Sequence, residues 1–449
     1  MSEGISPRRR RPRRIFLGLS EVAGQFSSLE AGFRAVGVQA DFHNLSPNVL
    51  SYGTSSPRSY QRLLGLRHAQ PGSAKHHVWQ LALKVNRAVR RTRAALLLPW
   101  AAARYDAFVL GGHATFLGGI DLWILRRMGK PVIIIFTGSD HRPPYLNGSA
   151  IRNLRGNSAA LAAESRRQRR RVAIAERWAS AIVALPASAQ FHRKPFIDFL
   201  KVGIAFSPPE VSPGSNAPSP RSGSVRALHC PTDPIGKGTQ EIRRAVKRCE
   251  ARGITISLHE ITGRPNSEVL EAVKQCDFVI DELYSDTPMA RFATEAAYYG
   301  KPAIVGSYAT DMYRTQVAED LPPSVMCHPD SLDEAISSLA SDAMARRDLG
   351  AAAKAFVSDR WSVTSVAERV LTALVGGAPP DWYVDPRTIS YIHGWGVSES
   401  SLRTIISRML DERGIDSLQL ATQGRPLALA LELARSEPDP GVALELPAV

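Results

Sequence analysis

VRALHCPTDPIGKGTQEIRRAVKRC (225–249) and VIDELYSDTPMARFATEAAYYGKPAIVG (279–306) are the two pieces of sequence that decide the fold. The first reads as a strand, a Gly236-Lys237-Gly238 turn and a helix. The second reads as a strand, a helix carrying Glu295, and a strand opened by Gly300-Lys301-Pro302. With a further strand and helix between them, the stretch is half of a doubly wound α/β sheet. Glycines let a backbone approach a phosphate, and a helix start beside a lysine favours negative charge. The turn is not a P-loop, because Gly-x-x-x-x-Gly-Lys-Ser/Thr is absent. A solvated lysine in a surface turn fits the turn equally well when it is taken alone.

The residues before this stretch repeat the alternation. Arg14–Leu19 is a strand, and Ser20–Gln25 is a turn leading to a helix with Leu29, Phe33 and Val36. Val38–Phe42 and Tyr105–Leu110 are strands, and Val132–Phe136 is a continuous apolar strand of the kind buried on both faces. The expected organisation is a basic arm at 1–14, a first Rossmann-like domain at 15–206 and a Pro/Ser-rich linker at 207–224. A second Rossmann-like domain at 225–376 and a small helical extension at 377–449 complete it. Residues 45–75 read as an irregular insertion. A helix at 362–375 is expected to close the second domain, and a short helix is expected near Ser188–Phe191.

The chain has 449 residues, enough for two or three domains. Four cysteines, Cys230, Cys249, Cys276 and Cys327, include no CxxC pair, which argues against a disulfide framework or a structural zinc site. With no secretory signal, a cytoplasmic location is expected. The longest apolar run, Ala94–Ala103, falls short of the roughly 20 residues of a membrane span. The net charge of +14 fits phosphorylated small molecules or an anionic membrane surface. Nucleic acid is not expected, since no aromatic ladder or zinc finger accompanies the arginines. Residues 76–104 form a basic amphipathic helix with Val78, Leu81, Val85 and Val89 on one face. With the arginines at 166–171 it points to peripheral contact at the inner face of a membrane, or simply to a solvated basic surface.

In this setting 225–306 resembles the nucleotide-sugar half of GT-B glycosyltransferases, in particular their large retaining family. The resemblance is carried by Lys237-Gly238 and by Glu295-Ala-Ala-Tyr-Tyr-Gly-Lys-Pro-Ala-Ile-Val. In the first half it is carried by Val22-Ala-Gly-Gln, by Leu29, Arg34 and Gly37, and by GKPVIIIFTGSDHR at 129–142. It covers about 15–375 and implies a GT-B fold of two Rossmann-like domains. It also implies transfer of a sugar from a nucleotide-diphosphate sugar, with retention, to an acceptor held by the first domain. That acceptor would be lipid-linked or a polysaccharide. No metal or other cofactor is expected, and no suitably placed DxD stands in the chain.

The resemblance places Lys237 on the diphosphate and Glu295 on the ribose, with Gly24, Gly238 and Arg291 completing the donor site. His113, Asp140 and Lys237 are the catalytic candidates. Asp140, His141 and Arg142, at the carboxyl end of the most buried strand, are the acceptor candidates. Asp140 has a plainer reading as a turn cap. Three positions depart from the family pattern: Thr287 stands where a first glutamate is usual, with Asp286 or Glu282 as replacements, Ala290 replaces a glycine, and Thr232 replaces an arginine. A binding protein without transferase activity, or a nucleotide-sugar epimerase, are the alternative readings.

Overall fold

The computed structural model describes residues 10–45, 74–112, 114–207, 224–316 and 320–436. His113, nearly all of the insertion, most of the linker and residues 1–9 of the basic arm lie outside the described residues.

Two parallel sheets organise the chain. The first contains β1 (Arg14–Leu19), β2 (Gln39–Asn44), β3 (Ala107–Gly111), β4 (Val132–Ile135), β5 (Ala181–Ala184), β6 (Phe196–Asp198) and a late arrival, β12 (Tyr383–Val384). Its order is β2-β1-β3-β4-β5-β6-β12, with only β12 antiparallel to its neighbour. The second contains β7 (Val225–His229), β8 (Ile256–Glu260), β9 (Phe278–Ile280), β10 (Ala303–Gly306) and β11 (Val325–Cys327), in the order β8-β7-β9-β10-β11. Both orders reverse beside their first strand, at β1/β3 and at β7/β9. The carboxyl ends at such a switch point form the crevice of a doubly wound sheet. The fold is the expected pair of Rossmann-like domains in GT-B arrangement.

Local chemistry explains the elements. β3 and β4 are buried at every position, as helices on both faces require. Helix Thr239–Ala251 buries Ile242, Ala245, Val246 and Cys249, the i, i+3, i+4, i+7 stripe of an amphipathic helix. Gly238 precedes it at φ 71°. A Cβ on Gly238 would lie 2.6 Å from Cβ of Leu283, so both the backbone and the space demand glycine.

Three connections differ from the sequence reading. Helix Val363–Leu374 does not cap the second sheet. It crosses back and packs on helix Gln25–Ala35 of the first domain, where bare Gly32 lets the Val363 carbonyl and the Ala367 methyl approach. The short helix near Ser188–Phe191 is a single 3-10 turn at Pro186–Ser188, and the chain then enters β6, an added strand. The extension is not a separate appendage either: after β12 joins the first sheet, helix Glu399–Arg413 docks on helix Ser158–Trp178 and the turn Pro144–Leu146, and helix Arg425–Arg435 packs on helix Glu399–Arg413 and the turn Pro386–Thr388. Leu402, Ile405, Ile406, Met409 and Leu418 are at most 1% exposed. Each such side chain contributes about 1.5–3 kcal/mol by burial, so this segment is part of the folded body.

Candidate functional site

The glycine-lysine turn lies where expected, between β7 and helix Thr239–Ala251 at the switch point of the second sheet. His229 ends β7 and fixes the turn from below. Its Nδ1 donates to the Ile280 carbonyl (2.8 Å), and its Nε2 accepts from the Thr239 hydroxyl (2.9 Å). Burial lowers its pKa to about 4, so the ring is neutral at physiological pH. Lys237 is buried, and its Nζ donates to Asp281 Oδ1 at 2.8 Å, with Glu282 Oε2 3.6 Å away. Asp281 and Glu282 follow β9 directly, on the other side of the switch point. The second oxygen of Asp281 is buried and has no hydrogen-bond partner among the described residues. Burial pushes the Glu282 carboxyl upward, opposed by the neighbouring Lys237 charge.

Glu295 lies on helix Arg291–Tyr298 and is 1% exposed. Both its oxygens accept from Asn266 Nδ2 at 3.2 Å, and Oε1 also accepts from Arg291 Nε at 2.9 Å. Its pKa is raised by burial and held down in part by Arg291. Arg291 reaches across to the first domain, donating to the Ala205 carbonyl (2.9 Å) and lying over the Phe206 ring. The donor candidates Lys237 and Glu295 therefore both belong to the second sheet's connections, after β7 and between β9 and β10, and in this conformation internal partners hold the groups that a diphosphate and a ribose would use.

The first domain brings some of its candidates to the same crevice. Arg142 follows β4, and its Nε donates to Asp286 Oδ2 at 2.8 Å in an ion pair between the two domains, with both side chains at most 5% exposed. Asp140 accepts from the Thr137 and Gly138 amides at 2.9 and 3.0 Å, which is the turn-capping role. His141 is not on the crevice surface. It is fully buried, stacked on Phe136, with its ring nitrogens 3.1 Å from His192 Nε2 and 3.0 Å from Ser188 Oγ. Phe136, His192 and Ser188 close around the ring and hold it in the core, away from the crevice surface where acceptor binding was expected. Gly24 caps its helix at φ 77°, but the Glu21 carboxylate accepts from the Val22, Phe26 and Ser27 amides at 2.8–3.0 Å. An anion at that helix start would meet a carboxylate.

Sequence reasoning missed two participants. One is Asp281, which reads as the end of a strand. The other is Trp395 of the extension, whose indole Nε1 donates to Glu282 Oε2 at 3.1 Å and whose ring lies over Arg142. A buried Glu282 seeking a donor was the only signal, and nothing in the sequence ties it to a residue 113 positions away. Of the two replacements for the carboxylate absent at Thr287, Asp286 is committed to Arg142 and Glu282 to Ser285 and Trp395. A third link between the domains joins Arg152 and Ser149 to Asp233, the serine hydroxyl donating at 2.6 Å.

Neither a family model nor a curated protein sequence matches the chain. Solved structures do resemble it. HepE of Anabaena in complex with UDP and glucose is 15% identical over 80% of this chain and 98% of its own, with a TM-score of 0.46. The glycosyltransferase of kitacinnamycin is 13% identical over 81% and 100%, with a TM-score of 0.42. A UDP-glucosyltransferase from Polygonum tinctorium is 12% identical over 83% and 100%, with a TM-score of 0.41.

Proposed function

We propose that the chain transfers a sugar from a nucleoside-diphosphate sugar to an acceptor held against its first domain. The observation that carries this reading is the charged cluster of Lys237, Asp281, Glu282, Asp286 and Arg142. It is buried, drawn from both domains, and set at the facing carboxyl ends of two doubly wound sheets. Lys237 exchanges Asp281 for the diphosphate and stabilises the charge that develops on the leaving group. Glu295 exchanges Asn266 and Arg291 for the ribose hydroxyls. The positive charge for the leaving group then comes from Lys237, Arg142 and the start of helix Thr239–Ala251, without a metal, and anomeric configuration is retained as in the family that the sequence resembles.

A panel of nucleoside diphosphates tested by thermal shift examines binding. A ligand at 100 times its Kd adds about 2.7 kcal/mol of stability. Release of nucleoside diphosphate from the matching donor sugar then tests transfer. Lys237→Ala is expected to abolish both the shift and the release. A wild-type protein that no nucleoside diphosphate stabilises overturns the reading. A second reading, binding without transfer, is favoured by the engagement of Lys237 with two carboxylates. It predicts a thermal shift with no release from any donor.

The acceptor side includes a surface suited to anionic lipid. On helix Ala74–Arg104, Leu81, Val85, Val89, Leu96 and Trp100 are exposed and fall on one side at 100° per residue. Ala94, Leu98, Ala101 and Ala102 occupy the opposite side and pack into the first domain. The helix has no acidic residue; Lys84 borders the stripe on one side, and Arg93 and Arg104 border it on the other. An apolar stripe turned away from its own core and bordered by cations fits an interfacial helix at an anionic membrane, and supports the reading of peripheral contact at the inner face. Among the described residues no helix is long and apolar enough to cross a membrane.

A further inference from the structure

Between β12 and helix Glu399–Arg413 the chain runs through the crevice as Tyr391-Ile-His-Gly-Trp-Gly-Val397. We propose that this strap is a gate over the glycine-lysine turn, closed when Trp395 is seated and opened to admit a diphosphate. The ligand class rests on the nucleotide-sugar reading above.

The strap is stitched to both domains. On the first-domain side, the Trp395 amide donates to the Leu146 carbonyl (2.9 Å) and the Gly148 amide donates to the Trp395 carbonyl (2.8 Å). On the other side, the Gly396 amide donates to the Tyr284 carbonyl (2.9 Å), two residues past Glu282. The indole rests on the turn itself: a Cβ on Gly236 would lie 2.8 Å from the edge of the Trp395 ring. The face of Gly236 that a phosphate would approach is therefore covered. The indole also holds Glu282 through its N–H, and Glu282 stands 3.6 Å from Lys237. A diphosphate entering here meets an aromatic ring and two carboxylates before it meets the lysine.

The hold is local. Trp395 itself is half-buried, whereas Ile389, Tyr391 and Ile392 upstream are at most 3% exposed. Gly394 and Gly396 flank it at φ 73° and 68°. Two glycines beside one ring supply the backbone freedom to swing it out while the buried anchor stays in place. When the ring leaves, Glu282 loses a donor, Gly236 is uncovered, and Lys237 faces the opening.

The test uses the full chain as wild type, Trp395→Ala and Trp395→Phe, with UDP, GDP and inorganic pyrophosphate as probes. Circular dichroism and thermal unfolding check that each variant folds. Titration is expected to show Trp395→Ala binding a nucleoside diphosphate at least tenfold more tightly than wild type. Trp395→Phe, which keeps a ring but loses the bond to Glu282, is expected to fall between them and serves alone if the alanine variant does not fold. Hydrogen exchange is read in parallel: saturating probe should strip protection from the Trp395 and Gly396 amides of the wild type and leave β4 unchanged. If wild type binds a nucleoside diphosphate with those amides still protected, and the variants bind no more tightly, the strap is a fixed wall and the gate is refuted while the nucleotide reading stands. If neither wild type nor variants bind any probe, the nucleotide reading fails, and the gate with it.

Discussion

The ion pair between Arg142 and Asp286 offers the sharpest test of the closed crevice, because each partner belongs to a different domain. At 2.8 Å and an effective dielectric constant near 20, the gross attraction between two unit charges is about 6 kcal/mol. Desolvation of two side chains at most 5% exposed removes most of that gain, so the pair adds little net stability. Loss of one partner is different, since it strands the other charge out of water. Arg142→Met and Asp286→Asn are each expected to cost about 3–5 kcal/mol. The combined variant strands nothing and is expected within about 1–2 kcal/mol of wild type. The cycle therefore predicts a coupling of at least about 3 kcal/mol, at the top of the range seen for contacting residues.

Urea unfolding followed by tryptophan fluorescence and far-UV circular dichroism measures these values where the two transitions coincide. If the domains part readily, water reaches the orphaned charge and each single variant costs under about 1 kcal/mol. The two signals then separate into two transitions. Small, additive single effects of that kind would refute the buried interdomain pair.

Three further outcomes follow from other parts of the molecule. Gly238→Ala should destabilise by more than 2 kcal/mol, roughly double the effect of Gly253→Ala. Both glycines have positive φ, which costs about 1–2 kcal/mol for alanine, but only Gly238 faces a side chain at 2.6 Å, while Gly253 faces open space; equal losses in urea unfolding would contradict the close packing with Leu283. Burial raises the Asp198 pKa from 3.8 to about 7, so its contribution is complete below pH 3.8 and is lost as pH rises through 7. Asp198→Asn keeps an acceptor for the Leu200 amide and has no charge to lose; it should gain about 3–4 kcal/mol relative to wild type between pH 4 and 7.5, whereas a pH-independent difference would show Asp198 to be an ordinary carboxylate. Leu96→Glu on the exposed stripe should abolish sedimentation with vesicles containing anionic lipid and leave the unfolding midpoint unchanged; unaltered sedimentation would assign that stripe to solvent.

The parts of the fold legible in the sequence are those set by short-range chemistry. Val132–Ile135 is a strand because four apolar β-branched residues in a row cannot sit anywhere but between two helical layers. The glycine-lysine turn is legible because Gly238 has to adopt a left-handed conformation against Leu283. Helix Val363–Leu374 was legible as a helix but not in its destination, since its apolar face would suit either domain. What sends it back is Gly32, more than 300 residues earlier, which offers no side chain to keep it away. His141 shows the same limit from the other side. Its place after a strand marks it for the crevice, and only Phe136 and His192, closing around it in space, mark it for the core.

The crevice adds a more general point. Nearly every charged group that the sequence marks for a ligand has an internal partner in this conformation: Lys237 has Asp281, Glu295 has Asn266 and Arg291, and Arg142 has Asp286. A buried charge requires a partner, so a cleft built to receive a charged ligand has to supply substitutes whenever it closes on itself. The substitutes are residues with no ligand-binding signature of their own, which is why sequence reading missed Asp281 and Trp395. Their geometry still constrains the ligand. Whatever displaces Asp281 from Lys237 must carry at least equal negative charge at the same 2.8 Å, and whatever displaces Asn266 from Glu295 must donate to both carboxylate oxygens. A diphosphate joined to a vicinal diol meets both requirements in one molecule.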